Sequence, residues 1–167
     1  SKVSTKLNIL KKLTEKVDTI ILGGGIANTF LLSSNLPIGK SLAEKNMVSD
    51  VKEILRLAEK NDVLIPLPKD VMCQSSTGIR NKNVNEVLKE DYIKDIGSKT
   101  SIIYEKLIEE AATILWNGPV GVFEDALFEN GTKNIARSIG NTKALTIAGG
   151  GDTISAIEKF ISMEKLD

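Results

Sequence analysis

Apolar residues recur along this chain in two alternating forms, short unbroken runs and stripes at helical spacing. Leu7, Leu10, Leu13 and Val17 share one stripe behind Ser4, a good N-cap, so residues 4–16 predict an amphipathic helix. Thr19-Ile20-Ile21-Leu22 predicts a buried strand, which Gly23-Gly24-Gly25 turns into a helix over residues 26–33. Val48, Val51, Ile54, Leu55 and Ala58 predict a covering helix within residues 43–60. Residues 63–67 predict the next strand, with Pro66 placing it at an edge or a bend.

The second half repeats this order after an interruption. Residues 73–91 are polar, with Gly78 and several asparagines, and predict a surface excursion, while residues 92–97 are too short a segment to classify. Ile103, Leu107 and Ala111 predict a helix over residues 99–112, leading into the strand Thr113-Ile114-Leu115-Trp116 and a loop of small residues, 117–124. A helix over residues 131–139 precedes the stretch Ala144-Leu145-Thr146-Ile147-Ala148-Gly149-Gly150-Gly151-Asp152-Thr153. There a buried strand meets three glycines, and a helix opens at Asp152 and Thr153 to run to residue 161.

Strands alternating with helices imply an α/β domain whose mostly parallel sheet is covered on both faces. Three strands end in glycine-rich turns, after Leu22, Trp116 and Ile147. In an open parallel sheet the carboxyl ends of the strands line one edge, where ligands bind, so three such turns favour a nucleotide cleft. Free amides at a helix N-terminus attract phosphate, and an adjacent carboxylate such as Asp152 can take magnesium. A glycine turn between strand and helix also serves purely structural ends.

With 167 residues the chain has the length of one domain. Its 22 basic and 22 acidic side chains cancel, which argues against nucleic acid or an anionic membrane as main partner. A single cysteine, Cys73, excludes an internal disulfide framework, and no histidine is present to serve as acid, base or metal ligand. Any chemistry must therefore rest on Lys, Asp, Glu and backbone amides. No apolar run approaches the roughly 20 residues of a membrane span, so a cytoplasmic protein is the expectation. Asn130-Gly131-Thr132 matches a glycosylation sequon without a secretory signal and is read as chance.

Two nucleotide motifs are excluded. A G-x-G-x-x-G frame from Gly23 ends at Asn28, and one from Gly149 ends at Ile154, so neither turn is a dinucleotide fingerprint. Gly39-Lys40-Ser41 mimics the tail of a Walker A loop, but Ser34 stands where its first glycine belongs. Lys2 and Lys6, four residues apart, can converge on one anion or stand as two solvated lysines. Glu124 can accept the hydroxyls of a ribose or be a solvated loop acid.

Five ordered blocks go further. Lys2-Val3-Ser4-Thr5-Lys6-Leu7, Gly23-Gly24-Gly25-Ile26-Ala27-Asn28-Thr29-Phe30, Ile38-Gly39-Lys40-Ser41-Leu42, Trp116-Asn117-Gly118-Pro119-Val120-Gly121-Val122-Phe123-Glu124 and Gly149-Gly150-Gly151-Asp152-Thr153 resemble the C-terminal, nucleotide-binding half of the phosphoglycerate kinase family, in its bacterial form. The resemblance runs through residues 1–167 and implies a three-layer, Rossmann-like domain with about six mostly parallel strands. It implies reversible phosphoryl transfer from 1,3-bisphosphoglycerate to Mg-ADP, giving 3-phosphoglycerate and Mg-ATP in glycolysis. By the same resemblance Lys6 holds the nucleotide phosphates and Lys2 neutralises the phosphoryl group in flight. Gly24, Gly25 and Leu42 wall the adenine pocket with Val122 opposite, and Asn117 and Pro119 lie beside the ribose and phosphates. Glu124 accepts the ribose hydroxyls, and Asp152 binds magnesium beside Gly150, Gly151 and Thr153.

The resemblance leaves out the family's N-terminal half, whose basic residues bind 3-phosphoglycerate, and its final Ser-Thr-Gly-Gly-Gly segment. A nucleotide half that binds Mg-ADP or Mg-ATP but transfers no phosphate alone is therefore the expectation, with a monomeric parent enzyme. The alternatives are another nucleotide enzyme on a Rossmann-like sheet and a non-catalytic interaction module whose glycines are only turns.

Overall fold

The computed structural model describes residues 3–161. In chain order these form α1 (Val3–Leu13), β1 (Thr19–Leu22), α2 (Gly24–Ser33), α3 (Val48–Lys60), β2 (Asp70–Ser75), β3 (Gly78–Asn83), β4 (Tyr92–Ile96), α4 (Ser98–Glu110), β5 (Thr113–Asn117), α5 (Asn130–Asn141), β6 (Leu145–Gly149) and α6 (Gly151–Phe160).

A parallel sheet of three strands, in the order β1-β5-β6, forms the middle layer. The pleat sends successive side chains to opposite faces. Ile20, Leu22 and Leu115 join Leu7, Leu10, Phe30, Val51 and Ile54 in one core beneath α1, α2 and α3. Ile21, Ile114 and Trp116 join Tyr104, Ile108, Ile135, Ile139 and Ile157 in the other, beneath α4, α5 and α6. The three-layer α/β arrangement expected from the alternation is present.

The expected sheet of about six strands is not. Residues 63–67 contribute one isolated parallel bridge, Leu64 to Thr19, with Ile20 N–H donating to the Leu64 carbonyl at 2.8 Å. Pro66 and Pro68 lack the N–H groups that a longer ladder would use. The remaining strands form a separate antiparallel sheet, β3-β2-β4. The polar stretch expected as an irregular excursion holds a hairpin in which Ser75 pairs with Gly78. Its ladder is supplied by the partner strand, and β3 is exposed along almost its whole length, so no apolar alternation marks it.

A buried carboxylate ties this second sheet to the main layers. Asp70 Oδ1 accepts the Thr100 N–H at 2.9 Å and the Thr100 hydroxyl at 2.6 Å, while Oδ2 accepts the Lys99 N–H at 3.1 Å. Asp70 thus caps α4, whose own N-cap residue, Gly97, has no side chain to do so.

Candidate functional site

The register of the parallel sheet puts the last residues of its strands level, Leu22 opposite Asn117 and Asn117 opposite Gly149. The chain therefore leaves all three strands at one edge and turns there. Gly23 approaches the β5 loop so closely that a Cβ on it would overlap the Pro119 carbonyl. Gly150 holds φ 94°, a left-handed conformation that favours glycine, and from it α6 starts. Neither Gly23 nor Gly150 can cap its helix with a side chain, and α2 and α6 both open toward the same space. Their first amides and the positive ends of their dipoles suit an anion.

That space is a cleft of about 400 Å³. Of the expected site residues, Lys6, Gly24, Gly25, Asn117, Pro119, Gly150, Gly151, Asp152 and Thr153 all line it. The loop between β5 and α5 is fixed from three directions. Trp116 Nε1 donates to the Gly118 carbonyl at 2.9 Å, and Thr153 Oγ1 accepts the Gly118 N–H at 2.8 Å. Further along, Lys159 of α6 donates to the Phe123 carbonyl at 3.0 Å and pairs with Glu129 at 3.4 Å.

A second cavity, of about 130 Å³, adjoins the cleft across Gly23, Gly24 and Pro119. Its walls include Leu22, Ala27, Leu31, Val120 and the expected Val122. Asn28, Lys94 and Asp95 are the residues with polar side chains that reach it. A polar cleft opening beside an apolar slot fits a ligand with a charged end and a flat apolar end.

Two expected residues stand apart. Leu42 is 84% exposed and lines neither cavity, although its carbonyl accepts the Asn28 Nδ2 at 3.0 Å beside Gly25. Glu124, in the connection between β5 and α5, is exposed and also lines neither. Lys2 lies outside the described residues.

Lys94 and Asp95 escaped the sequence reading because they sit in the unclassified segment, 92–97, which forms β4. Gly118 escaped it because its backbone, rather than a side chain, carries the contact to Thr153.

For a metal, the cleft offers one exposed carboxylate, Asp152, and the described residues hold no group of three acidic, cysteine or histidine ligands. That donor set fits magnesium, which keeps several waters and is held by one or two carboxylates together with substrate phosphates. It does not fit a metal caged by protein alone.

The sequence matches the family model for phosphoglycerate kinase over residues 1–167. Among solved structures the fold is similar to phosphoglycerate kinase from Coxiella burnetii, with 41% identity and a TM-score of 0.89, covering 99% of this chain and 43% of that one. It is also similar to the enzyme from Pyrococcus horikoshii OT3, with 27% identity and a TM-score of 0.79, covering 97% of this chain and again 43% of that one. The chain thus spans less than half the length of either structure. A family match along every residue, joined to a fold shared at 41% identity, gives the glycine-lined sheet edge its lineage, and the chain belongs to the phosphoglycerate kinase family.

Proposed function

We propose that this chain is the nucleotide-binding half of a cytoplasmic glycolytic phosphoglycerate kinase. In this reading it takes Mg-ADP or Mg-ATP, while a second domain binds 3-phosphoglycerate, and the two-domain parent works as a monomer. The observation that carries the reading is the convergence of three glycine turns, Lys6 and Asp152 on one cleft, beside an apolar slot walled by Val122. Among the described residues no helix is long and apolar enough to cross a membrane.

Each group has a task that its chemistry allows. The half-buried Lys6 supplies positive charge to the phosphates, and the opening amides of α2 and α6 orient them. Asp152 would hold magnesium, which supplies charge neutralisation across the phosphate oxygens. Lys2 balances charge on the group in flight. Gly24, Val120 and Val122 exclude water around the base. Leu42 and Glu124 complete the proposed set by resemblance, with Glu124 as ribose acceptor two residues beyond Val122. The reaction moves a phosphoryl group from the carboxyl oxygen of 1,3-bisphosphoglycerate to a terminal oxygen of ADP, so the carboxylate leaves and the protein provides position and charge rather than a covalent intermediate.

Calorimetric titration with Mg-ADP tests the reading. Saturable binding that weakens in both Glu124→Ala and Asp152→Ala is the expected result, with no turnover by the chain alone in a coupled assay. At about 100 times its dissociation constant Mg-ADP should raise stability by roughly 2.7 kcal/mol. A folded wild-type chain that shows neither heat nor stabilisation would overturn the proposal.

A further inference from the structure

Asp95 of β4 has 2% of its surface exposed, and none of the ion pairs among the described residues involves it. A buried carboxyl without a cationic partner is costly unless hydrogen bonds and packing hold it. Here Oδ2 accepts the Gly131 N–H in the first turn of α5 at 3.0 Å, and Oδ1 accepts the Ile96 N–H at 2.8 Å. The side chain passes between two glycines of different elements, and a Cβ on either Gly121 or Gly131 would overlap Oδ1.

Gly121 belongs to the loop that walls the apolar cavity. One residue before Asp95, the Lys94 carbonyl accepts the Val122 N–H at 2.8 Å. Strand β4 therefore holds this short loop segment twice, through a backbone bond and through a carboxyl seated where only glycine leaves room. Asp95 itself reaches the cavity that Val120 and Val122 line, and none of the lining of the phosphate-side cleft comes from β4.

We propose that Asp95 is a positioning residue for the base end of the nucleotide site, setting where Val120 and Val122 stand across from Gly24 and Ala27. The inference rests on the nucleotide-binding reading above and adds to it a separation between the two ends of the ligand. The carboxyl governs the slot for the flat base, while the cleft around Lys6 and Asp152 is built without it.

The test compares two probes on the full chain, Mg-ADP and Mg-pyrophosphate, the second having phosphates but no base. Wild type, Asp95→Asn and Gly121→Ala are each titrated calorimetrically and melted without ligand. Both substitutions should weaken Mg-ADP about tenfold or more while pyrophosphate affinity stays within about twofold. Equal losses for both probes, or unchanged Mg-ADP affinity in a folded variant with a lowered Tm, would reduce Asp95 to a helix cap and overturn the inference. Should Asp95→Asn fail to fold, Gly121→Ala decides, because its Cβ would overlap Oδ1 and the Lys94 carbonyl and so force loop and β4 apart without changing the chemistry of the carboxyl. A wild-type chain that binds ADP but not pyrophosphate would overturn the division into two ends. Wild type that binds neither probe would instead bring down the nucleotide reading itself.

Discussion

Thr153 and Gly118 are joined by a 2.8 Å hydrogen bond, the loop amide donating to the threonine hydroxyl across 35 residues of sequence. Thr153 is fully buried and opens α6, whereas Gly118 lies in the turn that leaves β5. The bond sets the spacing between two of the three glycine turns that shape the cleft. It uses the hydroxyl as an acceptor and leaves its O–H free to donate, so the threonine can hold the loop and still offer a proton to a phosphate. Thr153→Val keeps the shape and removes the acceptor. It should cost about 1–3 kcal/mol in urea unfolding, the penalty for stranding a largely buried amide, and weaken Mg-ADP in parallel, while Thr153→Ser should restore most of both. Unchanged stability in Thr153→Val would show that water replaces the hydroxyl and that the spacing is set elsewhere.

Among the described residues, Lys6 is the one lysine lining the phosphate-side cleft. Charge-assisted hydrogen bonds contribute about 1.5–3 kcal/mol, so Lys6→Ala should raise the dissociation constant of Mg-ADP roughly 10- to 150-fold. The loss should shrink as salt is raised, since a half-buried charge is partly screened. Titrations at two salt concentrations check both statements, and an equal affinity in variant and wild type would remove Lys6 from the phosphate site.

These two residues mark what local sequence conveys. Strand β1 falls where its apolar run stands, at Thr19–Leu22, because a fully buried strand writes its environment into its own composition. The glycine turns were equally legible, since a close approach such as Gly23 to Pro119 demands a missing side chain whatever surrounds it. The hairpin was hidden for the opposite reason: Arg80, Asn81 and Lys82 form a strand only because β2 pairs with them. Asp95 was hidden too, its burial arising from Gly131, 36 residues away. Residues 63–67 look like a strand in composition, but two prolines leave a single bridge. Leu42, brought forward by resemblance, and Glu124, raised by its chemistry and then by resemblance, both stand outside the two cavities.

Asp70 should control the docking of the second sheet. Burial pushes its carboxyl up, but hydrogen bonds from Thr100, Asn81 and the Lys99 amide outweigh this and hold it below the usual carboxylate range. The folded value lies under the unfolded one, about 3.9, so its stabilisation is present above that pH and lost as pH falls through the folded value. Asp70→Ala strands the Thr100 and Lys99 amides at the start of α4 and should cost about 2–3 kcal/mol at neutral pH. In acid the gap between wild type and variant should narrow, and a gap independent of pH would assign the loss to packing.

Cys73 offers a probe of the same sheet. It is buried on β2, and burial, with Asp91 nearby, pushes its thiol up to about 11. Thiolate is the reactive form, so at pH 8 a maleimide should label the native chain only through opening of the sheet. The labelling rate should therefore follow urea concentration, and Asp70→Ala should raise it. Rapid labelling of native wild type would mean that β2 opens readily without global unfolding.

Asp95 supplies a pH signature of the opposite sign to Asp70. Burial pushes its carboxyl up to about 7, although the Gly131 and Ile96 amides favour the charged form. No charged side chain pairs with it among the described residues, those in the cavities that it lines being Lys94 in the slot and Glu105 of α4. Because the folded value exceeds the unfolded value of about 3.9, the native chain keeps a proton that the unfolded chain has released between about pH 4 and 7. Stability attributable to Asp95 must then fall as pH rises through that window, by at most about 1.4 kcal/mol per pH unit, and level off above it. Every other carboxylate contributes its own dependence, so the informative quantity is the difference between wild type and Asp95→Asn, which cannot ionise there. Urea unfolding at pH 5, 6, 7 and 8 should show wild type losing ground to the variant step by step up to about 7 and running parallel to it beyond. Parallel curves across the whole range would mean that the two amides keep the carboxyl ionised throughout, with the buried charge held by hydrogen bonds alone.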